Sequence, residues 1–355
     1  MRIPMMQLIV SQLAATMILC SASASAVENQ ETSETVIPSD SISEAVTEGR
    51  KFVAVFGDSV SMATMADAKL GSPGPRFYAD FLASIAAASA YDATLGKLKR
   101  ERTEDEQHRL LTAFFGNMAR LNLSPYFGNQ NYSLPVLIKS SHGKKPVVYN
   151  GARMAGAYHF GHLYLATFKK FLERHPFLSS PDLIVVNFNG MDFMEGWSLE
   201  SYANSVRAFY RELTKLAPRA NIVLTGLADP VPLLTAPDKV TIPNSPAGPI
   251  TCTQLYKIVR FGNKTGLFPG APEENIEAAR KKIRDMNQIL ANATASLNED
   301  RENFPEFEGQ AIFVPPMSGD GEDSANHIAA DCIHPDQFIQ AALGRYMWPF
   351  IEPLL

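Results

Sequence analysis

At 355 residues and 46% hydrophobic content, the chain can bury a full core, as one large domain or two small ones. Its 32 basic and 37 acidic residues leave a net charge of −5. It stays acidic without Arg2, the one basic residue of the first 26, which argues against nucleic acid as a partner.

Residues 1–26 read as a secretory signal: Arg2 supplies the positive start, "MMQLIVSQLAATMILC" the apolar middle, and Ala24-Ser25-Ala26 a small-residue cleavage site. Gln7, Ser11 and Gln12 make this stretch a poor permanent span, and no second stretch is long and apolar enough to cross a bilayer. Cys20 raises a lipid-modified alternative, against which Leu19 is too bulky for the preceding position. The expected mature chain is therefore secreted or periplasmic. Residues 27–50, rich in Ser, Thr and Glu, read as a solvated leader. The folded domain is expected over 51–355.

Five short apolar runs read as buried strands: Phe52 to Phe56, Val147 to Asn150, Leu183 to Phe188, Ile222 to Thr225, and Ile312 to Val314. Runs such as "LIVV" are apolar on both faces, as a parallel strand covered on both sides must be. Amphipathic helices lie between them: one carries Tyr202, Val206, Phe209, Leu213 and Leu216, another Ile276, Ile283, Met286 and Leu290. Alternating strands and helices predict a doubly wound α/β sheet. The interval at about 62–145 is too long for a simple crossover and reads as a largely helical insertion, with helices near 75–98 and 103–120. The polar, aromatic segment "LNLSPYFGNQNYSLP" that follows them can wall a site or merely elaborate the structure.

Two patterns carry chemistry. "GDS" at 57–59 follows the first apolar run, and the small residues after it suit a helix, so Ser59 is expected at the C-terminal edge of a strand beside a helix N-terminus. Alone, the three residues fit a capping serine equally well. In "DCIHPDQF", Asp331 and His334 stand three apart: a carboxylate can orient an imidazole there, and the imidazole can activate a serine hydroxyl. Pro335 is then expected to open the last helix. His327 is the nearest competing base.

Together, in this order, the two blocks resemble the GDSL or SGNH hydrolase superfamily, over about Lys51 to the C-terminus. The resemblance implies a flavodoxin-like three-layer sandwich around a central, mostly parallel sheet. It implies Ser59 as nucleophile, His334 as general base and then acid, and Asp331 as the group that orients it, with neither metal nor organic cofactor. Ser61, where a second glycine would stand, separates the first block from the Gly-x-Ser-x-Gly elbow of the α/β-hydrolases. The resemblance also implies an oxyanion hole of three donors: the Ser59 N–H, a glycine N–H of the second block, and an asparagine of the third. In "VVYNGARMAGAY" the glycine is Gly156, with Gly151 in reserve. In "NFNGMDF" Asp192 matches, but Met191 occupies the asparagine position and cannot donate, so Asn189 is taken as the donor.

Met62, Met65, Met154, Met191 and Met194 gather around these blocks and suit either an acyl pocket or ordinary core. His108, His142, His159, His162 and His175 show no zinc-ligand spacing. Once the signal is removed, Cys252 and Cys332 remain and are expected to pair in an oxidising compartment. The function expected is a secreted serine ester hydrolase. The Asp-Cys-x-His-Pro form resembles the phospholipase-B-like branch and points to acyl lipid esters. A carbohydrate O-acetyl esterase is the enzymatic alternative, and a catalytically weakened binding protein on the same scaffold is the other. The oligomeric state is not readable.

Overall fold

The structure, a computed structural model, describes residues 48–63, 66, 121–153, 156–178, 180–188, 190–235, 238–242, 249–254, 264–317, 327–329, 332 and 334–355. The expected signal, most of the leader and the helices near 75–98 and 103–120 lie outside the described residues. Among the described residues no helix is long and apolar enough to cross a membrane.

The described chain begins its sheet with β1 (Phe52–Gly57) and continues through α1 (Leu134–His142), β2 (Val147–Asn150), α2 (Gly161–Arg174) and β3 (Leu183–Asn187). A short α3 (Met191–Met194), α4 (Leu199–Leu216), β4 (Asn221–Thr225) and α5 (Val231–Thr235) follow. A small antiparallel pair, β5 (Val240–Ile242) and β6 (Ile250–Thr251), precedes the long α6 (Glu273–Glu299), then β7 (Ala311–Val314) and α7 (Gln337–Ile351). All five expected strands are present and form one parallel sheet in the order β2-β1-β3-β4-β7. That is the flavodoxin-like order, with its topological switch at β1 and β3.

Two cores explain why these strands are apolar on both faces. Phe52, Ala54 and Phe56 of β1, with Ile184 and Val186 of β3, pack under α2, α4 and α6. The intervening Val53, Val55, Leu183 and Val185 face the opposite way, toward Leu134 and Ile138 of α1 and Met347 and Ile351 of α7. The sheet is therefore the middle of three layers. On the first face the aromatics interlock: the Phe168 ring meets Phe56 edge-on at 5.3 Å and Tyr149 at 4.8 Å.

The helices form where periodicity and caps agree. In α4 the Ser198 hydroxyl accepts from the Ser201 N–H at 3.1 Å, and Tyr202, Val206, Phe209 and Leu213 make its buried stripe. In α6 Ile283, Met286 and Leu290 are buried, while Ile276 packs at the edge.

Two local expectations are corrected. Residues 59–63 form successive turns instead of starting a regular helix, and Ala63 adopts a left-handed conformation with φ of 49°. The Ser61 carbonyl accepts from the Ser124 hydroxyl at 2.6 Å. Likewise Asp336, and not Pro335, caps α7: its side chain accepts from the Phe338 and Ile339 N–H groups at 2.9 and 3.2 Å. Pro335 pairs as an isolated bridge with Ile328.

Replacing fully buried Phe168 by alanine is expected to lower unfolding free energy by about 3–5 kcal/mol. The same change at Phe268, which is 50% exposed, is expected to cost under about 0.5 kcal/mol. Chemical denaturation of the two variants checks the contrast.

Candidate active site

Ser59 lies two residues past the end of β1, where the chain leaves the sheet at its switch point. Asp58 turns the chain there, since its Oδ1 accepts from the Val60 N–H at 2.9 Å in a local side-chain turn. Ser59 and Asp58 are both buried.

His334 reaches the same point from the other end of the chain. Residues 327–329 and 334–336 pair back on each other at the two ends of a loop: the Ala329 N–H donates to the His334 carbonyl at 2.8 Å, and the Asp336 N–H to the His327 carbonyl at 3.0 Å. Within it Cys332 takes a left-handed φ of 63°, and its N–H donates to the Ala329 carbonyl. The loop is fixed on both sides. The Gln337 N–H donates to the Ala66 carbonyl at 3.0 Å, and Cys332 is disulfide-bonded to Cys252, just beyond β6, with Cα atoms 5.5 Å apart. Thus the imidazole of His334, only 3% exposed, stands with Nε2 at 2.6 Å from Ser59 Oγ. At that distance the nitrogen can take the hydroxyl proton directly.

The competing histidine is occupied elsewhere. His327 Nδ1 lies 3.1 Å from Asp336 Oδ2, and its ring stacks on Phe338 with centroids 4.3 Å apart. Asp331 and Asn189 lie outside the described residues.

Gly156 packs directly on the Gly57 carbonyl and the Asp58 backbone, where any Cβ would collide. Glycine is required there by close approach. Its N–H, however, donates to the Arg153 carbonyl at 3.1 Å, and that of Gly151 to the Val55 carbonyl at 2.7 Å, so in this conformation both serve backbone turns and pairing. The Arg153 N–H in turn donates to the Gly57 carbonyl at 2.9 Å, which ties the second block to the strand end before Ser59.

The third block is joined to the second by Asp192. Its carboxylate is buried and accepts from the Tyr158 and His159 N–H groups at 2.9 and 3.2 Å. Burial pushes this carboxyl up to about 6, against the opposing pull of those two donors and of His159. Met194 is buried in the first core and Met191 packs against it, while Met62 packs against the second core, so the described methionines of this set serve as core filling. Met65 and Met154 lie outside the described residues. Among the described residues no three His, Cys, Asp or Glu side chains are grouped to hold a metal ion.

Sequence reasoning missed the buried polar residues behind Ser59. Ser61, Asn187, Thr225 and Ser124 are all buried and hydrogen-bonded to one another or to the backbone of the turn. The available signal was a hydroxyl or amide at the end of each otherwise apolar strand, at Asn187 and Thr225.

No protein-family model matches the chain, and no curated protein sequence does. Among solved structures it is similar to TesA, at 14% identity and a TM-score of 0.37, covering 86% of this chain and 100% of that one. It is also similar to the psychrotrophic esterase EstA from Pseudoalteromonas sp., at 11% identity and a TM-score of 0.38, covering 85% and 97%. A third is a family two carbohydrate esterase from Cellvibrio japonicus, at 14% identity and a TM-score of 0.37, covering 86% and 61%.

Two outcomes follow. Asp192 has its folded-state carboxyl above the ordinary 3.8, so between about 4 and 6 the unfolded chain releases its proton first. Stability should fall as pH rises through that window, by about 3 kcal/mol at most, and level off above it. Asp192→Asn is expected to flatten that slope in thermal melts taken from pH 4 to 7. Replacing Cys252 and Cys332 by serine is expected to cost about 2–5 kcal/mol. In that variant, hydrogen exchange at 328–336 should rise further than in α4, which checks that the bridge pins the loop carrying His334.

Proposed function

We propose that the protein is a secreted serine ester hydrolase. The observation that carries this reading is the 2.6 Å approach of His334 Nε2 to Ser59 Oγ at the switch point of a flavodoxin-like sheet.

In this reading Ser59 Oγ attacks the ester carbonyl while its proton passes to His334 Nε2. The resulting tetrahedral intermediate collapses, the C–O bond to the alcohol breaks, and the imidazolium returns its proton to the departing oxygen. Water, deprotonated by the same nitrogen, then attacks the acyl-serine, and the acid leaves as Ser59 recovers its proton. Asp331 is assigned the task of holding His334 in the tautomer that leaves Nε2 unprotonated. The Ser59 N–H and the Asn189 amide are assigned to the oxyanion. Gly156 is assigned as the third donor, which requires its N–H to exchange the bond to the Arg153 carbonyl for one to the oxyanion.

The substrate class proposed is an acyl ester of a lipid or phospholipid, on the Asp-Cys-x-His-Pro form of the last block. Two observations favour a weakened hydrolase acting as a binding protein: Met191 at the family's asparagine position, and the Gly156 N–H bonded to Arg153.

A fluorophosphonate probe is expected to label the folded protein and to leave Ser59→Ala unlabelled. No labelling of the wild type would exchange the hydrolase for the binding reading. Across p-nitrophenyl esters from acetate upward, kcat/KM is expected to rise with chain length. Activity confined to acetate would replace the lipid substrate with an O-acetyl group.

A further inference from the structure

The turn carrying Ser59 is held from behind by a row of buried polar side chains along the C-terminal edge of the sheet. Gly57, Asn187 and Thr225 are the last residues of the adjacent strands β1, β3 and β4, and Gly57 pairs in register with Asn187. Ser61, two residues past the nucleophile, folds back over Gly57, where an added Cβ would collide with its hydroxyl. Its Oγ donates to the Asn187 carbonyl at 3.2 Å and accepts from Asn187 Nδ2 at 3.0 Å. The other end of the same carboxamide is fixed as well, because Thr225 Oγ1 donates to Asn187 Oδ1 at 2.5 Å. Beyond Ser61 the line continues through the Ser124 hydroxyl, which donates to the Ser61 carbonyl at 2.6 Å. Gln340 of α7 donates its Nε2 to the Val60 carbonyl at 3.2 Å.

None of these groups touches the reacting atoms. Their geometry nonetheless leaves one orientation open to the amide of Asn187 and one position open to the hydroxyl of Ser61. Both ends of the Asn187 amide are bonded, although Gln340 Oε1 has no partner among the described residues; buried hydrogen bonds of this kind rigidify, and their loss leaves polar groups without partners in a low-dielectric setting. Only Val60, whose carbonyl is itself bonded by Gln340, stands between Ser61 and Ser59.

We propose that Asn187 is a positioning residue for Ser59, acting through Ser61 and itself oriented by Thr225. The row is a strut across β1, β3 and β4 that fixes the nucleophile turn against the imidazole arriving from the C-terminal loop. The inference rests on Ser59 being the nucleophile. A misplacement of about 1 Å at a reacting group can lower a rate about 10²-fold, and such loss falls on kcat more than on substrate binding.

Three variants test this: Ser61→Ala, Thr225→Val, which keeps the shape but removes the donor to Asn187, and Thr225→Ser, which restores the hydroxyl. Each is melted to confirm folding, then assayed for kcat and KM on a p-nitrophenyl ester and for the rate of fluorophosphonate labelling. Ser61→Ala and Thr225→Val are expected to lower kcat and labelling rate by about 10- to 100-fold. KM should stay within about twofold of wild type, and the plateau of the pH–rate profile should fall without a move in its midpoint. Thr225→Ser should recover labelling to within about twofold of wild type. Should Ser61→Ala not fold, the Thr225 pair carries the comparison alone. Folded Ser61→Ala and Thr225→Val proteins that label at the wild-type rate would overturn the inference, as would a Thr225→Ser protein as slow as Thr225→Val. Wild type that resists labelling defeats the nucleophile reading and the strut with it, whereas labelled wild type with unaffected variants defeats the strut alone.

Discussion

A hydroxyl and an imidazole 275 residues apart in the chain meet at 2.6 Å, and every other feature of the site serves that contact. Closing so long a loop onto one hydrogen bond cannot be sustained by the bond itself, whose net contribution is about 1 kcal/mol. The sheet supplies the difference. β1 is buried along its whole length between two cores, so packing alone holds the position at which the chain leaves it. The C-terminal loop is then bound to that position by backbone hydrogen bonds, by the cap of α7 and by the bridge from Cys332 to Cys252.

The arrangement divides labour between two kinds of interaction. Apolar burial sets where the strand ends lie, to the accuracy of close-packed side chains. Buried hydrogen bonds then choose among the few orientations left open at those ends. Asn187, Ser61 and Thr225 do this for the turn that carries Ser59, and Asp192 does it for the junction between the segments after β2 and β3, since its carboxylate reaches two backbone donors on the far side of the switch point. Burying a carboxylate in this way raises its proton affinity, so the junction holds its charge at some expense in stability.

Much of the architecture was legible from the chain because one physical signature, apolarity on both faces of a short run, marks a covered parallel strand. Phe52 to Phe56 and Leu183 to Phe188 show it, and the helices between them carry the 3.6-residue stripe that a covering layer requires. The pairing of Ser59 with His334 was legible only through a resemblance, since neither Gly-Asp-Ser nor Asp-x-x-His specifies a partner alone. The errors came where a side chain, distant or adjacent, supplies a backbone hydrogen bond. Nothing near residue 61 announces that the Ser124 hydroxyl will bond its carbonyl. Asp336 outdoes Pro335 as the start of α7 because a carboxylate satisfies two orphan N–H groups, while proline only removes one. Asn187 and Thr225 read as ordinary strand ends until adjacent strands are laid in register.

Packing also accounts for the methionine that precedes Asp192. Met191 packs its thioether against the first core, while Asp192 beside it bonds the Tyr158 and His159 N–H groups. The most direct measurement is a crystal structure of the protein after reaction with an organophosphonate. The account predicts phosphorus bonded to Ser59 Oγ, with His334 Nε2 within about 3 Å of an oxygen of the adduct. Phosphorus on another residue, or an imidazole of His334 turned away from a modified Ser59, would contradict it.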